Sequence, residues 1–373
     1  MSSNIGIYIH VPFCMSKCPY CDFYSLTGQT PDVMDAYTDK IISSLEQWRA
    51  RLGDTTADTL YFGGGTPSLL GGERIARMVE ASKRCFGLEG AEITMEANPG
   101  DELSRVFAAF AASGGNRVSL GMQAAEDDQL ALLGRRHRFE DVEKSVAAAK
   151  HAGIDNISLD LMLGLPGQTI SSVVSAASHA LRLGARHVSA YLLKIEEGTD
   201  FYINQNKMSL PDEDTVAELY LAACQAFEML GFRQYEISNF AMPGYESRHN
   251  LKYWNSDPCL GIGAAAHSFI DGRRFCYPRD LEAFLKGEPP VYEQPGGPIE
   301  SAGEQEYIML RLRLADGVIF SEFEKRFGHP VPETVSERAR LLPPRLVAVD
   351  SEGIRLTRMG FLLSNPLIAR ILG

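Results

Sequence analysis

Through the first two thirds of the chain, short runs rich in β-branched and aromatic residues alternate with longer stretches whose apolar positions recur every three or four residues. The short runs fall at residues 5–10, 59–62, 92–96, 117–120, 156–161 and 187–192. The long ones fall at 32–50, 73–86, 103–113, 139–152, 170–183 and 211–230, with Ile75, Met78 and Val79 showing the helical spacing. Strands and helices alternating in this way predict βαβ units and a parallel sheet. Six units, two short of a closed barrel, predict an α/β fold built as a partial (β/α)6 TIM-like barrel. A doubly wound sheet is the competing architecture.

The barrel is favoured by where the unusual residues fall. Cys14, Cys18 and Cys21 follow the first strand, and Gly63-Gly64-Gly65-Thr66-Pro67 follows the second. Glu96 and Asn98 end the third, Gln123 follows the fourth, Asp160 lies on the fifth, and residues 191–194 close the sixth. A β/α barrel assembles its active site from the C-terminal ends of its strands, so these residues are expected to converge.

The pattern changes after about residue 232. Residues 232–237 read as one more strand, and loop-rich sequence leads to the proline-rich segment 288–298, which reads as a linker. Helical spacing resumes from 301, and residues 346–349 and 353–357 form a hairpin pattern around Asp350 and Glu352. The expected organisation is a barrel over 1–231, an extension and linker over 232–300, and a small winged-helix-like domain over 301–373.

Composition narrows the function. The 373 residues carry a net charge of −12 with no strongly basic stretch, and the C-terminal domain mixes both signs, which argues against a nucleic-acid partner. No apolar run reaches the roughly 20 residues needed to span a bilayer. The opening MSSNIGIYIHVPFC has no basic segment followed by a long apolar one, so a cytoplasmic protein is expected. Peripheral attachment at the inner face of the membrane and homodimerisation stay open. Seven cysteines, an odd number in a large chain of this kind, argue against a disulfide framework.

Three of those cysteines lie within eight residues, in His10-Val-Pro-Phe-Cys14-Met-Ser-Lys-Cys18-Pro-Tyr-Cys21. Three thiolates can grip three irons of a cubane and leave the fourth iron open to a ligand. Zinc is the rival; a closed zinc site needs a fourth ligand, and only His10 is near in sequence. With GGGTP after the second strand, the CxxxCxxC spacing resembles the radical S-adenosylmethionine superfamily. The longer YIHVPFCMSKCPYCDFYS is similar to the oxygen-independent coproporphyrinogen oxidases and their relatives, the HemW-type heme chaperones. The likeness continues through Leu120–Gln123 (LGMQ), Leu133–His137 (LGRRH), Asp160–Thr169 (DLMLGLPGQT), Tyr235–Ala241 (YEISNFA) and His249–Trp254 (HNLKYW) to the C-terminal domain.

The resemblance implies a [4Fe-4S] cluster on Cys14, Cys18 and Cys21, with S-adenosylmethionine chelating the open iron. Tyr8, Tyr20 and the Gly64, Gly65 and Thr66 backbone would line its pocket. Glu96, Gln123, Arg135 and Asp160 would meet its methionine and ribose portions, and the segment around Lys194 would contact its adenine through the backbone. Glycines allow close backbone approach, and a carboxylate can bind ribose hydroxyls. Radical chemistry on this scaffold would also need an electron donor.

Within the resemblance, two departures point away from oxidation of coproporphyrinogen III, the alternative function. The oxidases continue the motif as CxxxCxxCxC, where this chain has Phe23, and they carry an N-terminal arm, where this chain has 13 residues before Cys14. CDFYS matches the chaperones. HNLKYW is characteristic of that branch and implies heme as cargo, with His249 as candidate iron ligand and Tyr253 and Trp254 as aromatic contacts. His267 and Cys259 are weaker candidates. The expected function is a heme chaperone that hands heme to acceptor proteins; a zinc-stabilised adaptor is the remaining class.

Overall fold

The computed structural model describes residues 4–100, 102–292 and 299–373, with side chains described outside 299–302. Six parallel strands run in chain order: β1 (Ile5–Val11), β2 (Ala57–Gly64), β3 (Glu92–Ala97), β4 (Arg117–Gln123), β5 (Asn156–Leu163) and β6 (His187–Leu192). The connecting helices are α1 (Pro31–Leu52), α2 (Gly72–Phe86), α3 (Leu103–Ala112), α4 (Asp127–Leu132), α5 (Phe139–His151) and α6 (Ile170–Leu183). After β6 come α7 (Asp200–Asn204) and α8 (Glu213–Met229). All seven residues of β4 are buried, as expected of a strand covered on both faces.

Local chemistry sets the helix limits. Thr30 caps α1 by accepting from the Val33 amide at 3.4 Å, with Pro31 in the first turn. Thr169 and Ser172 cap α6 reciprocally, and Gly184 ends it at φ +82°, a left-handed conformation suited to glycine.

The sheet is larger than six strands. β8 (Asn239–Ala241) adds antiparallel to β6 and β7 (Arg233–Gln234) antiparallel to β8, while β9 (Cys259–Ile262) pairs parallel to β1. Beyond β9 lie β10 (His267–Ile270), β11 (Arg273–Cys276) and β12 (Val291–Tyr292), all antiparallel. The order is β12-β11-β10-β9-β1-β2-β3-β4-β5-β6-β8-β7. Residues 232–300, expected as an extension and linker, therefore supply both flanks of the sheet. Of the proline-rich stretch, residues 291 and 292 form β12, and residues 293–298 lie outside the described ones. Between β8 and β9, the helix α9 (Arg248–Trp254) carries HNLKYW.

The C-terminal domain combines helices with a wing of three antiparallel strands, β13 (Val318–Ile319), β15 (Gly353–Leu356) and β14 (Val347–Val349), in that spatial order. The hairpin forms where the pattern placed it; β13, only two residues long, pairs through Val318 and Ile354. This domain is stitched to the barrel by backbone: the Ile237 amide donates to the Arg313 carbonyl at 3.0 Å, and Ala315 to Tyr235 at 2.9 Å.

Candidate functional site

The segment after β1 is tied at its base. Cys14 donates its amide to the Leu26 carbonyl at 2.9 Å, and Leu26 donates to the Pro12 carbonyl at 2.6 Å. Phe13 is buried edge-on against Tyr37, with ring centres 5.2 Å apart, which pins the first cysteine. His10 bonds Tyr8 Oη through Nδ1 and the Tyr24 carbonyl through Nε2, both at 3.1 Å. It is therefore a clamp across the loop, and its two engaged nitrogens leave no lone pair for a metal.

Cys14, Cys18 and Cys21 line one cavity of about 330 Å³ at the C-terminal ends of the strands. Burial pushes the Cys14 and Cys21 thiols up, so a metal would have to displace their protons. Among the described residues no three His, Cys, Asp or Glu side chains gather tightly enough for a single metal ion. A cubane differs from a lone zinc in this respect, since each thiolate binds a different iron.

A polar circuit holds two parts of the loop in fixed relation. Thr66 Oγ1 lies 3.5 Å from Cys14 Sγ and accepts from Asn98 Nδ2 at 2.9 Å. Asn98 Oδ1 accepts from Arg135 Nη1 at 2.8 Å, and Arg135 Nη2 donates to Tyr20 Oη at 2.7 Å. Burial raises the Tyr20 phenol, which keeps it neutral beside the guanidinium. Asn98 is the central link of this circuit; its position at a strand end was the only sequence signal for it.

The glycines do more for the loop than for a ligand. Gly64 sits at φ +109°, and a Cβ there would lie 2.5 Å from the His10 ring. Gly65 donates its amide to Val11 and Thr66 donates to Phe13, at 2.8 and 2.7 Å. These two amides are spent on the cysteine segment, although both residues line the cavity.

The floor of the cavity is ionisable. Glu96 accepts from Tyr61 Oη at 2.8 Å and from the Gly64 amide at 3.2 Å, and burial, reinforced by Asp160, raises its carboxyl to about 7. Asp160 accepts from Ser119 at 3.0 Å, and burial also raises it. Gln123 lines the wall at φ +64°, a strained conformation for a residue with a Cβ. Arg117, 2 % exposed, and Arg135 each keep a buried Nε without a hydrogen-bond partner. Three thiols at the mouth, unpaired guanidinium donors and buried carboxylates suit a thiolate-held cluster beside a ligand bearing both carboxylate and ammonium groups.

Not every expected residue is there. Tyr20, Gly64, Gly65, Thr66, Glu96, Gln123, Arg135 and Asp160 line the cavity, as do Tyr61, Ser189, Tyr191 and Asn250. Tyr8 does not; its ring stacks with those of Tyr61 and His249 and faces a second cavity. Lys194 sends its side chain to an ion pair with Glu196 at 2.5 Å, which leaves its backbone, the part expected at the adenine, unengaged by that pair; Ser189 and Tyr191 are the β6 residues that line the cavity.

HNLKYW is split between the two cavities. Asn250 reaches the thiol-lined one, and Tyr253 lines the other. His249, 1 % exposed, bonds Thr59 Oγ1 through Nδ1 at 2.8 Å and Tyr253 Oη through Nε2 at 2.9 Å. Burial drops its imidazole to about 3. Buried, neutral and with both nitrogens engaged, His249 buttresses Tyr253. Trp254 is half-buried and lines neither cavity.

Against known proteins, residues 8–180 match the Radical SAM superfamily model and residues 305–363 the HemN C-terminal domain model. Over nearly the full length, the sequence is 34% identical to the Lactococcus lactis protein named heme chaperone HemW, covering 98% of this chain and 96% of that one. The Bacillus subtilis protein of the same name is also 34% identical, with 98% of each chain covered. The chain belongs to the HemW family. Membership fixes the architecture too: the Escherichia coli coproporphyrinogen III oxidase HemN, a radical SAM enzyme, superposes with a TM-score of 0.84 over 99% of this chain and 90% of that one. At 20% identity, that likeness speaks for the shared fold alone. No helix among the described residues of this HemW-family chain is long and apolar enough to cross a membrane.

Proposed function

We propose that this chain binds heme and delivers it to acceptor heme proteins, on a scaffold holding a [4Fe-4S] cluster at Cys14, Cys18 and Cys21 with S-adenosylmethionine beside it. The observation that carries this reading is the full-length identity to curated heme chaperones, joined by Phe23 where the resembling oxidases have cysteine. The cluster, when bound, supplies an iron with an open coordination position and an electron to the sulfonium in any radical turnover.

The protein's part can be derived from its own residues. The Tyr20–Arg135–Asn98–Thr66 circuit orients the thiol segment. Glu96, poised near neutrality, offers either a carboxylate or a proton donor to an ammonium or hydroxyl in the cavity. Arg117 and Arg135 offer their spare donors to a ligand carboxylate. Cytoplasmic residence, attachment at the inner face of a membrane, an electron donor and a homodimer belong to this proposal as its cellular setting.

The test is anaerobic. Protein with a reconstituted cluster is loaded with heme and mixed with an apo heme protein; transfer is followed by the acceptor's Soret band. Transfer faster than from free heme is expected, and its absence would sink the reading. In parallel, coproporphyrinogen III, S-adenosylmethionine and a reductant are supplied. Protoporphyrinogen and 5′-deoxyadenosine in stoichiometric yield would establish the oxidase alternative instead.

A further inference from the structure

A second cavity, of about 310 Å³, lies on the far side of the cysteine loop from the thiol-lined one. Its walls include Asp22, Phe23, Tyr253, His267 and Arg279, with Ala265 at the turn between β9 and β10. Phe23 lines both cavities and is 65% exposed. The volume lies in the range of small-molecule sites.

Local structure aims His267 here. Ser268 Oγ accepts from the Gly261 amide at 2.9 Å, which turns Ser268 inward, and the alternation of a strand turns His267 outward. A Cβ on Gly261 would lie 2.2 Å from the His267 carbonyl, so the close approach of β9 to β10 requires glycine there. Ala265 sits at φ +68°, a left-handed conformation strained for a residue with a Cβ. His267 is exposed, as are Phe23 and Arg279, whereas Tyr253 is held in place by its bond to the buried His249.

We infer that this cavity is the heme site, with the His267 imidazole as axial ligand to the iron; the inference rests on the heme-carrying function proposed above. The aromatic faces of Phe23 and Tyr253 suit a flat macrocycle. The Arg279 guanidinium donates through Nη2 to the Asp22 carbonyl at 2.8 Å and lies 4.0 Å from the Asp22 carboxylate, and its remaining N–H groups would meet a propionate. HNLKYW then contributes through Tyr253, and His249 is a positioning residue. A site with exposed walls also suits a cargo that must leave.

The test titrates ferric heme into the full chain with its cluster reconstituted anaerobically, read by the Soret band and by resonance Raman. For His267→Gly, the affinity is expected to fall roughly tenfold or more, with loss of the imidazole-ligated spectrum. Added imidazole should restore both. His249→Gln should weaken binding yet keep the imidazole-ligated spectrum, because the ring it removes only holds Tyr253. Arg279→Gln should weaken heme but leave heme dimethyl ester, which lacks free propionates, unaffected. Wild-type spectrum and affinity in His267→Gly, or a loss that imidazole does not rescue, would overturn the assignment. If the wild type itself takes up no heme, the functional proposal fails first.

Discussion

Gly64 is where the sequence motif and the physics of the site meet most closely. Its φ of +109° and the 2.5 Å approach of a would-be Cβ to the His10 ring make Gly64→Ala expensive twice over. Gly28 has a comparable φ of +73° but nothing within 4 Å of its would-be Cβ. Urea melts should show Gly28→Ala costing about 1 kcal/mol, the backbone effect alone, and Gly64→Ala clearly more. Iron incorporation should fall only in Gly64→Ala, because His10 is the ring it displaces. The histidines give a second residue-scale prediction. His249 titrates at about 3 in the fold against 6.5 as a free side chain, so the unfolded chain binds the proton first as pH falls. Its contribution to stability is whole above pH 6.5 and drains away towards pH 3, at up to roughly 1.4 kcal/mol per pH unit. His249→Gln should flatten the acid limb of a stability-against-pH curve. Glu96, raised to about 7, works in the opposite sense: what it contributes is whole below about 4.5 and is lost as pH rises through 7. Glu96 therefore adds nothing to the loss of stability below pH 4.5.

At the scale of elements, α9 shows what local pattern cannot reveal. Seven residues are too few to form a stable helix alone. This one exists because Glu92, on β3, accepts from the Arg248 and His249 amides at 3.2 and 3.1 Å, across 156 and 157 residues of chain. The same carboxylate offsets the buried Arg117 charge. Glu92→Ala should strand that guanidinium and the helix amides together, at a cost of roughly 3–5 kcal/mol. Hydrogen exchange over Arg248–Trp254 should rise well before global unfolding. The six barrel strands and their helices were legible because each is long and periodic enough to declare itself. Apart from β7, which falls inside the strand read at 232–237, the short strands from 239 to 292 were not, since strands of two to four residues carry no measurable period and exist through their neighbours. The site divides along the same line. Cysteines, glycines and strand-end carboxylates were readable as types in places, whereas the sidedness of Tyr8, the outward turn of Lys194 and the burial of His249 depend on what packs against them.

For the whole molecule, the arrangement that matters is two chambers and one wall. The loop from Cys14 to Ser25 leaves the barrel floor, passes between them and returns, and Phe23 stands with a face towards each. Under the assignments proposed above, with S-adenosylmethionine in one chamber and heme in the other, the shared wall would obey a thermodynamic symmetry. Whatever factor S-adenosylmethionine imposes on the dissociation constant of heme, heme must impose on that of S-adenosylmethionine. Calorimetric titrations in both orders should return one coupling factor in wild type, and Phe23→Ala should bring that factor towards unity in both orders at once. Unequal factors would mean that one of the titrations had not reached equilibrium. Because Phe23 is the loop side chain that lines both chambers, the coupling between them can be tuned at one codon while the three cluster thiols and His267 stay in place.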